Sequence, residues 1–74
     1  MMKKIYILED LDCAHCAAKI EADVAELSGV ESAAISLMAQ KLTINCSEEI
    51  KDTLTADVKK IVKKYEPDVE VIEK

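Results

Sequence analysis

Cys13 and Cys16, in the run Leu11-Asp12-Cys13-Ala14-His15-Cys16, are the residues of this chain best suited to chemistry. A thiolate is a soft ligand. With one cysteine in a loop and the other in the first turn of a helix, this spacing can turn both sulfurs onto a single ion. A helix start also favours the thiolate form, because its unpaired N–H groups and its dipole stabilise negative charge. Asp12, immediately before, adds a candidate hard oxygen ligand. The residues therefore propose a metal site made of Cys13, Cys16 and Asp12. Redox dithiols and half zinc fingers share the same spacing, so the rest of the chain must decide.

The other reactive residue types have blander readings. His15 is a common kind of zinc ligand. In a first helical turn, however, the residue before Cys16 points away from the sulfurs, and His15 is expected in solvent. Cys46 alternates with Leu42 and Ile44 and reads as a small buried core residue. Tyr65 is expected at a helix end in the core, with its hydroxyl reaching toward the cysteine loop. Met38 is expected at the surface or packed on a hairpin. Asp12 has a second role open to it as a helix N-cap.

Composition narrows the function class. Seventy-four residues, 1–74, make one small domain near the lower limit for a self-sufficient core. Half the residues are hydrophobic but the only aromatics are Tyr6 and Tyr65, so the core is aliphatic and disorder is not expected. A net charge of −5 argues against a nucleic-acid partner. Three cysteines, two of them close together, do not make a disulfide framework and point to a reducing, cytosolic compartment. Met1-Met2-Lys3-Lys4 is basic, but the apolar run after it is short and meets Glu9 and Asp10, so no signal peptide is expected. No stretch of this segment approaches a membrane span, which leaves open a piece cut from a larger membrane protein.

The elements that must position the cysteines follow from periodicity. Lys4 to Leu8 reads as a strand, with Tyr6 and Leu8 toward the core and Ile5 and Ile7 on an open sheet face. Ala17, Ile20, Val24 and Leu27 recur at helical spacing from about Ala14 to Leu27. Gly29, the one glycine, is expected as the left-handed residue ending that helix. Val30 to Leu37 and Lys41 to Cys46 read as a hairpin across Met38-Ala39-Gln40. Ser47-Glu48-Glu49 looks like a helix entry, and Ile50, Leu54, Val58, Ile61, Val62 and Tyr65 form the next apolar stripe. Lysines 59, 60, 63 and 64 crowd its last turns, Pro67 stops it, and Asp68 to Glu73 reads as a final strand. The order β-α-β-β-α-β predicts an α+β ferredoxin-like sandwich: a four-stranded antiparallel sheet with two helices on one face. That topology puts the cysteine loop, the hairpin turn and the Tyr65–Pro67 loop at one end, and Cys46 at the other.

At this point the chain resembles the heavy-metal-associated domain, found in small copper chaperones and at the N-termini of metal-transporting P-type ATPases. The resemblance rests on Leu8, Leu11 to Cys16, the helix through Ile20, Gly29-Val30, the hairpin strands and Glu66-Pro67-Asp68-Val69. Such domains usually carry Gly-Met where this chain has Asp10-Leu11, so Leu11 is expected to take the apolar place beneath the loop and Asp10 to restrict it. Before the first cysteine, copper-type members commonly have Thr or Ser. Asp12 is instead similar to members attached to zinc, cadmium and lead exporters. The segment near Tyr65 is mixed: a tyrosine there resembles bacterial copper chaperones, whereas Glu66-Pro67-Asp68 is similar to the zinc-type ATPase domains.

The resemblance implies a domain that is not itself an enzyme and binds one ion for transfer to, or regulation of, a metal-exporting ATPase, in the same chain or as a partner. The donor set favours Zn(II), Cd(II) or Pb(II), because two thiolates with Asp12 give three ligands and leave one position open for exchange. Cu(I) is the alternative, content with the two sulfurs alone. A metal-bridged homodimer through the exposed loop and a dithiol–disulfide oxidoreductase are the remaining readings.

Overall fold

The computed structural model describes residues 2–74; Met1, the first residue of the basic start, lies outside them. The elements are β1 (Met2–Glu9), α1 (Ala14–Ala25), β2 (Val30–Ser36), β3 (Lys41–Cys46), α2 (Lys51–Tyr65) and β4 (Glu70–Glu73). The strands form one sheet in the order β2-β3-β1-β4, with every neighbouring pair antiparallel. This is the ferredoxin-like arrangement expected from the element order.

One face of the sheet carries the core. Tyr6 and Leu8 of β1 and Leu42, Ile44 and Cys46 of β3 are buried at alternate positions, as the two-residue period of a strand requires. Ala17, Ile20 and Val24 of α1, with Leu54, Val58 and Val62 of α2, close over them in one cluster. Both helices therefore lie on that face. Burying each Leu, Ile or Val fully contributes about 1.5–3 kcal/mol. Cys46 has no exposed surface, in keeping with its reading as core. Ile5 and Ile7 lie on the opposite face and are half-buried, and Met38 stands fully in solvent.

The polar exception in the core is satisfied. Thr55 Oγ1 donates to Glu73 (3.2 Å), so the Tyr6 hydroxyl 2.9 Å away donates to Thr55. Lys4 pairs with Glu73 at the same corner. Burial nevertheless raises the Tyr6 pKa, since the phenolate would be charged in an apolar setting.

Some boundaries move. Helix α1 stops at Glu26, and Gly29 lies three residues beyond as a turn residue rather than the helix cap. Its φ of 89° is left-handed all the same, and a Cβ there would stand 2.8 Å from the Ile50 side chain. Glycine is thus required both by conformation and by space. Ser47 caps a separate 3-10 turn, Glu48–Ile50, and the α-helix proper begins at Lys51. The last strand starts at Glu70 because Glu66 to Val69 form a turn, closed by the Val69 N–H on the Glu66 carbonyl (3.1 Å).

Candidate metal centre

Three elements meet at the end where β1 finishes. The loop Asp10 to Cys13 leaves the strand with Asp10 in a left-handed conformation, φ 70°. This is the position where the resemblance places a glycine. Aspartate tolerates this region better than most residues, but at a cost. Leu11 is buried beneath the loop, as expected. Gln40, from the β2–β3 turn, ties the end of β1 and the loop together. Its carbonyl accepts from the Leu8 N–H (2.8 Å), and its side-chain amide donates to the Leu11 carbonyl (3.2 Å).

Cys13 is the N-cap of α1: its backbone is extended and its sulfur accepts from the Cys16 N–H at 3.3 Å. The capping role considered for Asp12 therefore falls to Cys13, because the sulfur itself takes the orphan helix donor. Both cysteines are partly exposed and free. The Cys13 thiol is held below its usual pKa, chiefly by the Cys16 N–H, with the Cys16 thiol and the His15 N–H also donating. The Cys16 thiol is pushed up to about 12, first by the neighbouring Glu66 carboxylate and then by the Cys13 sulfur, beside which a further negative charge is disfavoured. The two thiols are thus shifted in opposite directions, Cys13 toward the thiolate and Cys16 away from it.

The third member of the cluster is Glu66. One carboxylate oxygen of Glu66 and the two sulfurs all lie within 4.8 Å of one another. Sulfurs bound tetrahedrally at ~2.3 Å sit about 3.8 Å apart, so closing this set on an ion needs only small shifts. Glu66 is positioned as the C-cap of α2. Its backbone has left the helix (φ −140°, ψ 82°) while its N–H still bonds the Val62 carbonyl at 2.7 Å. Pro67 enforces the stop. A soft pair of sulfurs with one carboxylate suits a borderline or soft divalent ion, so the donor set fits a metal.

The structure sorts the sequence candidates. It brings Cys13 and Cys16 together. Asp12 is exposed beside Cys13 and stands outside the three-atom cluster. His15 points to solvent. Tyr65 corrects an expectation, since its hydroxyl donates to Asp23 Oδ2 at 2.6 Å, near the far end of α1, instead of reaching toward the cysteine loop. A side chain at a helix's last turn leans back toward that helix's N-terminus, and in α2 that direction leads away from the cysteines. Glu66 is the residue that reasoning from local spacing missed. Fifty residues separate it from Cys16, and its signal was a carboxylate just before the helix-stopping proline, in a loop the topology already placed at this end.

A model of the heavy-metal-associated domain matches residues 5–68. The chain belongs to that family. Heavy-metal-associated domains are non-catalytic metal-binding domains of ATPases or chaperones, so this one is a metal-binding domain and not an enzyme. Along all 74 residues it is 35% identical to a cadmium, zinc and cobalt-transporting ATPase of Bacillus subtilis, of which it spans 10%. It is 40% identical over 50 residues to a probable cadmium-transporting ATPase of Staphylococcus aureus, 68% of this chain and 6% of that protein. The fold is shared with the yeast copper transporter domain CCC2A (TM-score 0.79, 18% identity, covering 99% of this chain and 94% of that one). It is shared too with the N-terminal domain of ZntA in its apo form (TM-score 0.74, 24% identity, 97% and 90%). Among the described residues no helix is long and apolar enough to cross a membrane.

Proposed function

We propose that this heavy-metal-associated domain captures one divalent soft or borderline ion, Zn(II), Cd(II) or Pb(II), and passes it to or regulates a metal-exporting P-type ATPase on the cytoplasmic side. The observation that carries the choice of ion is the Glu66 carboxylate within 4.8 Å of both sulfurs. An oxygen donor adds a useful bond to Zn(II) or Cd(II). Beside Cu(I), already satisfied by two thiolates, it adds only negative charge. The names of the relatives above support a divalent cargo, and their length supports a domain of, or partner to, a larger transporter.

In this reading Cys13 and Cys16 supply the thiolates and Glu66 the third ligand. Asp12 is a second carboxylate able to swing in from the loop. The fourth position stays open, so an incoming dithiol can enter before the first ligands leave, and the ion is never released free. The exposed loop also suits a transient metal-bridged pair of domains.

Competition titrations of the reduced protein under argon test this, with Zn(II), Cd(II) and Cu(I), on wild type, Glu66→Gln and Asp12→Ala. The expected result is one divalent ion per chain, with affinity falling on the order of tenfold or more in Glu66→Gln while Cu(I) affinity stays within about twofold. A loss in Asp12→Ala would add that residue to the donor set. Weak divalent binding with Cu(I) alone surviving competition, in all three proteins, would make this a copper carrier.

A further inference from the structure

The contacts of Tyr65 bear on Glu66, the next residue in the chain. Cys16 and Asp23 are seven residues apart on α1. Seven residues are close to two full turns, so the two lie on one stripe of the helix, about 10 Å apart along its axis. The end of α2 touches that stripe at both places. The Tyr65 hydroxyl donates to Asp23 Oδ2 at 2.6 Å, and a Glu66 carboxylate oxygen lies within 4.8 Å of the Cys16 sulfur. Lys64 adds a 3.5 Å contact to the same Asp23 oxygen and lies 5.1 Å from the Tyr65 ring centre; Lys19, between the two contact points on α1, lies 5.9 Å from it.

We propose that the Asp23–Tyr65 hydrogen bond is the positioning element for Glu66, and hence a determinant of which ion the site prefers. This inference rests on Glu66 being a ligand in the reading above. Beyond Tyr65 the backbone leaves the helix, and only the Val62 carbonyl holds the Glu66 N–H. That bond and the Val69 N–H on the Glu66 carbonyl leave the direction of the Glu66 side chain unfixed, since neither involves its carboxylate. Pinning the side chain one residue earlier to α1 fixes both the axial position and the rotation of that last turn. Since α1 also carries Cys16 at its start, the tether sets the distance between the oxygen donor and the sulfurs. An ion that needs the oxygen feels this constraint, and one held by the sulfurs alone does not.

The test is a double-mutant cycle with Tyr65→Phe, Glu66→Gln and the pair, read as Cd(II) and Cu(I) affinities by competition. Phenylalanine keeps the ring and removes only the hydroxyl. The apo melting temperature of each variant is measured alongside, and Asp23→Asn, which keeps an acceptor for the hydroxyl, serves as the conservative variant. The inference expects Tyr65→Phe to weaken Cd(II) on the order of tenfold, with Cu(I) changed by no more than about twofold. It expects that loss to vanish in the Glu66→Gln background, and Asp23→Asn to lose less than Tyr65→Phe. An equal loss for both ions, or a loss that persists without Glu66, would overturn it and leave the tether purely structural. Should Glu66→Gln alone leave Cd(II) affinity unchanged, the donor set itself fails, an outcome separable from failure of the tether.

Discussion

Cys13 and Cys16 differ in one respect that matters for taking up an ion: the first is poised to be a thiolate and the second retains its proton. Cys13 accepts the N–H that α1 would otherwise leave unpaired, which lowers its pKa, whereas Cys16 faces two anionic neighbours and is pushed up to about 12. Metal binding must expel that proton. The thiolate absorbance of the reduced apo protein, followed across pH, should therefore show a first step below the ordinary cysteine value of 9.0 that disappears in Cys13→Ser. In Glu66→Gln the Cys16 step should move down, since its first-named cause is gone. Ionisation of both thiols in one step near 9.0, unaffected by Glu66→Gln, would contradict the asymmetry. At this scale the sulfurs were plain in the sequence because the spacing of Cys13 and Cys16 encodes their convergence. The carboxylate was not, because Asp12 adjoins Cys13 in sequence while Glu66 adjoins it only after folding.

The elements hold this site by small local devices, and two can be probed. Asp10 turns β1 into the metal loop with φ 70°, where a non-glycine residue costs roughly 1–2 kcal/mol. Glycine relieves that strain but loses more backbone freedom on folding, about 0.5–1 kcal/mol. Asp10→Gly should thus raise the melting temperature by a few degrees, and Asp10→Ala should not; a lower melting temperature for the glycine variant would refute the strain. The second device is the α1–α2 tether. The Tyr65 hydroxyl, with help from Lys64, holds the Asp23 carboxyl below its ordinary 3.8. A depressed carboxyl contributes stability that is present above its unfolded pKa and is lost as the pH falls through the folded one. Denaturant melts of wild type and Asp23→Asn should accordingly converge as the pH drops from about 5 toward 2; a constant gap would remove Asp23 from the acid sensitivity. Periodicity gave both helices and all four strands, since apolar spacing reports burial directly. It did not give the 3-10 turn at Glu48–Ile50 or the turn before β4. Those are decided by hydrogen bonds at Ser47 and Glu66 that the apolar pattern does not see.

At the scale of the whole molecule, a small core must hold three separate segments at one end of the sheet. For 74 residues the total stability is of order 4–11 kcal/mol. Ile44, fully buried at the centre of the sheet, pairs with Lys4 and Ala33 on its two neighbours. Ile44→Ala should cost about 2–5 kcal/mol, enough that bound metal becomes a large part of what keeps the chain folded. Thermal melts of that variant should recover strongly on adding Zn(II), while wild type gains the same free energy from a higher starting point. The order of elements placed the site at the correct end from sequence alone, because right-handed crossovers leave few alternatives. The fine distance from α2 to the sulfurs depends on Pro67, Tyr65 and Asp23 acting together, which no single stretch reveals. The central claim, one ion held by two sulfurs of one chain with a carboxylate oxygen, is tested most directly by X-ray absorption of the Zn(II)-loaded protein. The account predicts two sulfurs at about 2.3 Å with oxygen ligands at about 2.0–2.2 Å. A shell of four sulfurs, as two chains sharing one ion would give, or two sulfurs with no oxygen shell, would contradict it.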